Sequence, residues 1–169
     1  AGGQAMNPGD VAERAVSGGA VTGQEKIVIE ANWGLGESIV RGEVEADCYV
    51  VERIAAGASS QFSVTLGHKA RKRIQSPQGN GETRLVEVPV EQRDEPTLSA
   101  EQVQRLAEMV LALEKHFDTP QDVEWGFWEG KLYLFQTRPL TVQGASWFTD
   151  AILGDDDLWT SGFLNERFI

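Results

Sequence analysis

Cysteine is nearly missing from this chain: among 169 residues only Cys48 carries a thiol. One thiol excludes an internal disulfide and a cysteine-built metal cluster, so Cys48 reads as a small buried hydrophobe rather than a nucleophile. Histidine is almost as scarce, with His68 and His116 alone. Neither stands in a catalytic pattern, and His116 reads as a favourable charge near a helix C-terminus. Basic residues are outnumbered, 15 against 26 acids, for a formal charge of −11. That balance argues against general nucleic-acid or membrane-surface binding, where Lys and Arg must neutralise phosphates. No apolar run is long enough to span a bilayer and no basic-then-apolar leader is visible, so the expected location is the cytoplasm. The glycines spell neither a P-loop, which needs Lys-Ser/Thr, nor a dinucleotide fingerprint, which needs a third glycine.

What is present is a globular composition, 41% hydrophobic and 24% charged, sufficient for one domain with a real core. Short apolar or alternating runs predict strands around Ile27-Val28-Ile29, over 47–54 and 61–66, and as a pair over 72–74 and 83–88. Glu37 to Arg41 reads as a helical turn ended by Gly42. Residues 1–25 show no clear period and are expected to be an irregular segment. The strongest helix signal spans about 99–117. Ser99 and Gln102 form a capping box, and Val103, Leu106, Ala107, Val110, Leu111 and Phe117 recur every three or four positions. Asp118-Thr119-Pro120 ends it. The basic run His68-Lys69-Ala70-Arg71-Lys72-Arg73 reads either as a solvated strand edge, where Lys discourages aggregation, or as a local positive patch for phosphate or a neighbouring domain.

The most informative stretch is 121–141, two aromatic and β-branched flanks around Glu129-Gly130, which predicts a hairpin. A two-residue turn would set Glu124 opposite Phe135 and turn Gln136 away. A three-residue connection, Trp128-Glu129-Gly130, instead lines Asp122, Glu124, Gln136 and Arg138 along one face and Val123, Trp125, Phe127, Tyr133 and Phe135 along the other. Gly130 suits the left-handed third position of such a loop, and this register is the expectation. A carboxylate and an amide oxygen are hard ligands for magnesium, and a nearby guanidinium can fork phosphate oxygens. The same alternation also describes an edge hairpin with a wet outer face.

The run Asp-Val-Glu-Trp, followed by Gly-Lys-Leu-Tyr-Leu-Phe-Gln-Thr-Arg-Pro-Leu-Thr, resembles the end of the ATP-binding domain in the phosphoenolpyruvate synthase, pyruvate phosphate dikinase and rifampicin phosphotransferase family. Upstream, Ile29-Glu30-Ala31-Asn32-Trp33-Gly34-Leu35-Gly36-Glu37 is similar to that family's Trp-Gly-Leu-Gly-Glu block. The resemblance covers roughly 26–141. It implies an α+β, ATP-grasp-like half with a mainly antiparallel sheet and one long amphipathic helix. It further implies ATP and magnesium as cofactors, Glu124 and Gln136 as metal ligands, and Arg138 as the phosphate-stabilising catalytic group. Asp122 and Glu37 would be supporting acids at the nucleotide, although Glu37 also reads as a plain helix N-terminal acid.

On that resemblance the expected organisation is an irregular 1–25, the C-terminal part of an ATP-grasp unit over 26–141, and a connector over 142–169 toward a further domain. The expected activity is that of a dikinase phosphotransferase, inactive as this fragment alone. ATP would phosphorylate a histidine on another domain of the same protein, for onward transfer to pyruvate on an acceptor-binding domain. An antibiotic or phenol is an alternative acceptor. A different class of reading is a non-catalytic nucleotide-binding or structural subunit that partners a separate catalytic chain.

Overall fold

The computed structural model describes residues 11–17, 26–35, 45–53, 61–76 and 82–140. Eight strands form within them: β1 (Val11–Ser17), β2 (Lys26–Trp33), β3 (Asp47–Glu52), β4 (Phe62–Thr65), β5 (Arg71–Gln75), β6 (Thr83–Glu87), β7 (Gln121–Trp128) and β8 (Lys131–Pro139). One α-helix, α1 (Ala100–Phe117), lies between β6 and β7 after a short 3-10 turn over Val90–Gln92. Six strands make an antiparallel sheet in the order β4-β3-β2-β1-β7-β8, and β5 pairs with β6 as a separate ribbon. The α+β architecture with a mainly antiparallel sheet and one long helix is therefore as expected.

One expectation for 1–25 fails within the part described. Val11–Ser17 is not irregular: it is a strand paired along its length, Val11 to Ser17 against Trp33 to Ile27 on one side and Val11 to Val16 against Phe127 to Asp122 on the other. Both its flanks need backbone partners, and β2 and β7 supply them. Without β1 the large sheet would fall into two pieces. The expected helical turn after Gly36 lies outside the described residues.

Alternation decides what each strand gives to each face. Val11, Ala15, Ile27, Ile29, Ala31, Tyr49, Val51, Val123, Trp125 and Phe127 point to one side, where Val103, Leu106, Ala107 and Val110 of α1 cover them. Trp125 is completely buried and meets Phe127 edge-on, with ring centroids 5.8 Å apart. The helix begins as its capping box predicts. Ser99 Oγ accepts from Gln102 N at 3.2 Å, and Gln102 Oε1 accepts from Ser99 N at 2.8 Å. Asp118, at φ 53°, turns the chain out of the helix in the left-handed conformation. Phe117 departs from the expected apolar stripe; it is exposed and rests edge-on against His116. Arg53 clamps the far end of α1 through both oxygens of Glu114, at 2.9 and 2.5 Å.

The basic run is a solvated edge only in part: His68 and Arg71 are exposed, the rest are not. Lys69 has no exposed surface, and Lys72 and Arg73 are buried too. Lys69 Nζ donates to Asp47 Oδ1 at 2.5 Å and to the Gly67 carbonyl at 2.8 Å. The other Asp47 oxygen accepts from the Thr97 amide and hydroxyl, each at 2.8 Å. A buried pair with this many hydrogen bonds offsets its own desolvation. Arg71–Gln75 in turn braces the glycine turn: Leu35 N donates to Arg73 O at 2.9 Å, and Gly34 sits at φ 82° where a Cβ would lie 2.3 Å from that carbonyl oxygen. Only glycine satisfies both the positive φ and the close approach.

Candidate functional site

The face of the sheet away from α1 carries the polar side chains, and the β7–β8 hairpin sets its geometry. The turn is shorter than expected. Trp128 pairs with Lys131, leaving only Glu129 and Gly130 in the loop, at φ 49° and 73°. Positive φ at both positions is the two-residue hairpin turn whose twist matches that of the flanking strands. Taken alone, this turn would have sent Gln136 to the wrong side. A bulge between Glu124 and Trp125 corrects it: Trp125 pairs with Leu134, whereas Glu124 pairs with Gln136, so Phe135 is the extra residue. Beyond the bulge, Asp122 stands opposite Arg138. Asp122, Glu124, Gln136 and Arg138 thus share one face, as expected, but by a short turn plus a bulge rather than by a three-residue loop.

The bulge also changes which aromatics lie where. Tyr133 and Phe135 were expected beside Trp125. Instead Tyr133 pairs with Gly126, contacts Trp128 at 6.2 Å between ring centroids, and so belongs to the polar face. The Phe135 ring lies over Gly126, where an added Cβ would come within 2.7 Å of it. Leu132 and Leu134 take the helix side opposite Phe127 and Trp125.

Asp122 is the best-anchored member. Its carboxylate is buried and accepts a two-pronged hydrogen bond from Arg14 of β1, through Nε to Oδ1 and a terminal nitrogen to Oδ2. Arg138 Nε donates to Oδ2 at 2.8 Å. Glu124 and Gln136 are exposed side by side. One carboxylate and one amide oxygen, adjacent and open to solvent, are the donor number and type that magnesium asks of a protein, so these residues fit the ion. Among the described residues no three His, Cys, Asp or Glu side chains gather for a metal, so these two oxygens carry the fit. Glu37 lies outside the described residues.

Arg14 is the residue that the sequence reading missed. It sits in register between Glu30 on β2 and Glu124 on β7. Its signal was a seven-residue run, Val-Ala-Glu-Arg-Ala-Val-Ser, bounded by Gly9-Asp10 and Gly18-Gly19. Glu13 and Ala15 flank Arg14, and only Val11 and Val16 near the ends of the run are β-branched, so its strand signal was weak. Cys48 also lies on this side, packed with Val16, Val28 and Leu140. Burial first, then the negative charges of Glu30 and Asp47, push its thiol far up, which leaves it unreactive. No helix among the described residues is long and apolar enough to cross a membrane.

Residues 2–151 match the family model for the pyruvate phosphate dikinase AMP/ATP-binding domain. The chain is 39% identical over 119 residues to a probable phosphoenolpyruvate synthase of Methanocaldococcus jannaschii, covering 70% of this chain and 10% of that protein. It is 37% identical over 123 residues to the phosphoenolpyruvate synthase of Escherichia coli, with shares of 69% and 16%. It is 33% identical over 117 residues to the prodigiosin synthesizing transferase PigC of Serratia marcescens, with shares of 69% and 13%. The chain therefore spans only a small part of the length of these relatives.

Proposed function

Because the chain belongs to the family of the pyruvate phosphate dikinase AMP/ATP-binding domain, we propose that the polar face of its sheet is one wall of a magnesium–nucleotide site in a larger phosphotransferase. The observation that carries this reading is the pairing of Glu124 with Gln136 and of Asp122 with Arg138 on a single face. Phosphoryl transfer asks little covalent chemistry of a protein; it asks for positioning and for charge neutralisation. Glu124 and Gln136 would hold magnesium, which when bound neutralises phosphate oxygens. Arg138, with its side chain 44% exposed and its Nε anchored on Asp122, presents a guanidinium that can fork phosphate oxygens. Asp122 is the supporting acid that orients it. Glu37, at the end of the Trp-Gly-Leu-Gly-Glu block, is proposed as a second supporting acid.

In the whole protein the reaction would be phosphorylation of a histidine on another domain by ATP, followed by transfer to an acceptor, with residues 142–169 leading toward those domains. Relatives named phosphoenolpyruvate synthase favour pyruvate as that acceptor. The PigC relative keeps a different acceptor open.

The test uses the full-length protein. Glu124→Ala should abolish nucleotide turnover while leaving the unfolding temperature within a degree or two of wild type, since an exposed side chain contributes little to stability. Calorimetric titration of ATP should give measurable heat with magnesium and far weaker binding without it. Normal turnover in well-folded Glu124→Ala protein removes this residue from the site.

A further inference from the structure

The bulge leaves a short block of β8, Gln136 to Pro139, paired with Gln121 to Glu124 but one residue out of step with the hairpin turn. Continued without a bulge from the Trp128–Lys131 pair, the ladder would set Thr137 opposite Asp122 and Gln136 opposite Val123. That alignment turns Gln136 and Arg138 under α1. The observed alignment does the reverse and puts Thr137 opposite Val123, on the helix-covered side. There Thr137 Oγ1 donates to Gln121 Oε1 at 2.9 Å. Gln121 is 1% exposed and is itself fixed: its backbone N donates to Ser17 Oγ at 2.9 Å, and its Nε2 to the Thr119 and Pro120 carbonyls at 2.9 and 3.3 Å.

We propose that Gln121 and Thr137 are positioning residues: their hydrogen bond locks the block beyond the bulge and so keeps Gln136 and Arg138 beside Glu124 on the polar face. The inference rests on the nucleotide reading above for what that face binds. Gln121 pairs with Pro139 and Val123 with Thr137, so Gln121 and Thr137 are diagonal neighbours on one face, within reach of a long side chain. After a one-residue slip Thr137 would stand on the opposite face and leave Gln121 Oε1 without this donor. An acceptor buried without its donor costs more than the bond's net value, so the slip is penalised twice. Backbone bonds give no such selection. Leu140 N donates to Pro120 O at 2.8 Å at the end of the block, but ladder bonds can re-form with shifted partners, whereas a side chain on the wrong face cannot reach.

Two measurements on the full-length protein test this. In the first, Mg-ATP is titrated by calorimetry into wild type, Thr137→Val and Thr137→Ser, with thermal unfolding followed in parallel. Thr137→Val keeps the shape and loses the hydroxyl, and should weaken Mg-ATP about fivefold, the equilibrium worth of one hydrogen bond. Thr137→Ser keeps the hydroxyl and should stay within about twofold of wild type. The second measurement needs no nucleotide. Glu124→Cys combined with Gln136→Cys sets two thiols directly opposite each other only in the bulged alignment. Their rate of disulfide formation, read as linked tryptic peptides, should fall about fivefold when Thr137→Val is added. Wild-type affinity in Thr137→Val, equal losses in Thr137→Val and Thr137→Ser, or an unchanged cross-linking rate overturns the proposal. So does a lower unfolding temperature as the sole change. Should Thr137→Val fail to fold, Thr137→Ala takes its place with the same expectations. Failure of the underlying nucleotide reading looks different: wild type would then not bind Mg-ATP, or Glu124→Ala would leave binding unchanged, while cross-linking would still slow with Thr137→Val.

Discussion

The two sides of β7 put opposite demands on consecutive residues. Val123, Trp125 and Phe127 go under α1 and are buried to 3% exposure or less. Asp122 and Glu124, interleaved with them, go to the polar face. Asp122 is buried by its arginines while Glu124 stays exposed. The helix-covered side is held by apolar contact. The other side is held by charge pairs and keeps the Glu124 carboxylate and the Gln136 amide exposed. One strand therefore carries the core and the proposed site in alternate positions, and a one-residue slip would exchange them.

Substitution should separate the two faces cleanly, and Trp125→Ala is the sharpest case. Deleting a wholly buried indole leaves a cavity under the helix and should cost about 3–5 kcal/mol in denaturant unfolding. Glu124→Ala, one residue away, should cost almost nothing in the same measurement and yet abolish turnover. Equal destabilisation by the two would mean that the faces are not distinct in energy.

Glycine marks the same contrast at smaller amplitude. Gly34→Ala meets a backbone carbonyl at 2.3 Å and a φ of 82°, neither of which can give way cheaply. It should cost about 1–3 kcal/mol. Gly126→Ala meets the Ala12 side chain at ordinary contact distance and, too closely, the outer atoms of the Phe135 ring, which is 62% exposed and can swing aside. Its stability loss should be smaller than that of Gly34→Ala, with the change confined to the polar face. Paired unfolding curves of the two variants check the order.

The smallest effect concerns pH and belongs to the helix side. Burial alone would raise the Glu114 carboxyl, but the hydrogen bonds from Arg53 and Ser17 and the Arg53 charge outweigh it and leave it below its ordinary value. A carboxyl lowered in the folded state contributes stability above its unfolded value, and that contribution disappears as pH falls through the folded one. Arg53→Met should therefore flatten the acid limb of stability below about pH 4.3, the ordinary glutamate range, and leave the polar face untouched. Urea midpoints for both proteins between neutral and acid pH would show it, and an unchanged acid slope would count against the Arg53–Glu114 clamp.

How much of this was legible depended on reach along the chain. The limits of α1 were readable because a cap and its partner lie three residues apart, Ser99 and Gln102, and the apolar stripe repeats within the helix itself. The strands β2 to β6 were readable from alternation and from the turns beside them. The hairpin was readable as a hairpin, yet its bulge was not, since nothing in Leu-Phe-Gln marks Phe135 as the residue without a partner. The burial of Lys69 was hidden as well, because its partner Asp47 lies far off on β3 and the four basic neighbours His68, Arg71, Lys72 and Arg73 suggest solvent.

By itself the amino-acid sequence determined which residues could meet: alternation along β7 and β8 makes Glu124, Gln136, Asp122 and Arg138 candidates for one face, and the caps bound the helix that covers the other. Tertiary structure alone decided that they do meet, through a bulge that a local pattern does not encode, and that Arg14 joins them from a strand inserted between β2 and β7. The reason is physical. Propensity, capping and turn geometry act over a few residues, whereas strand order and the sharing of a buried charge are settled only when distant segments compete for the same backbone partners and the same shelter from water.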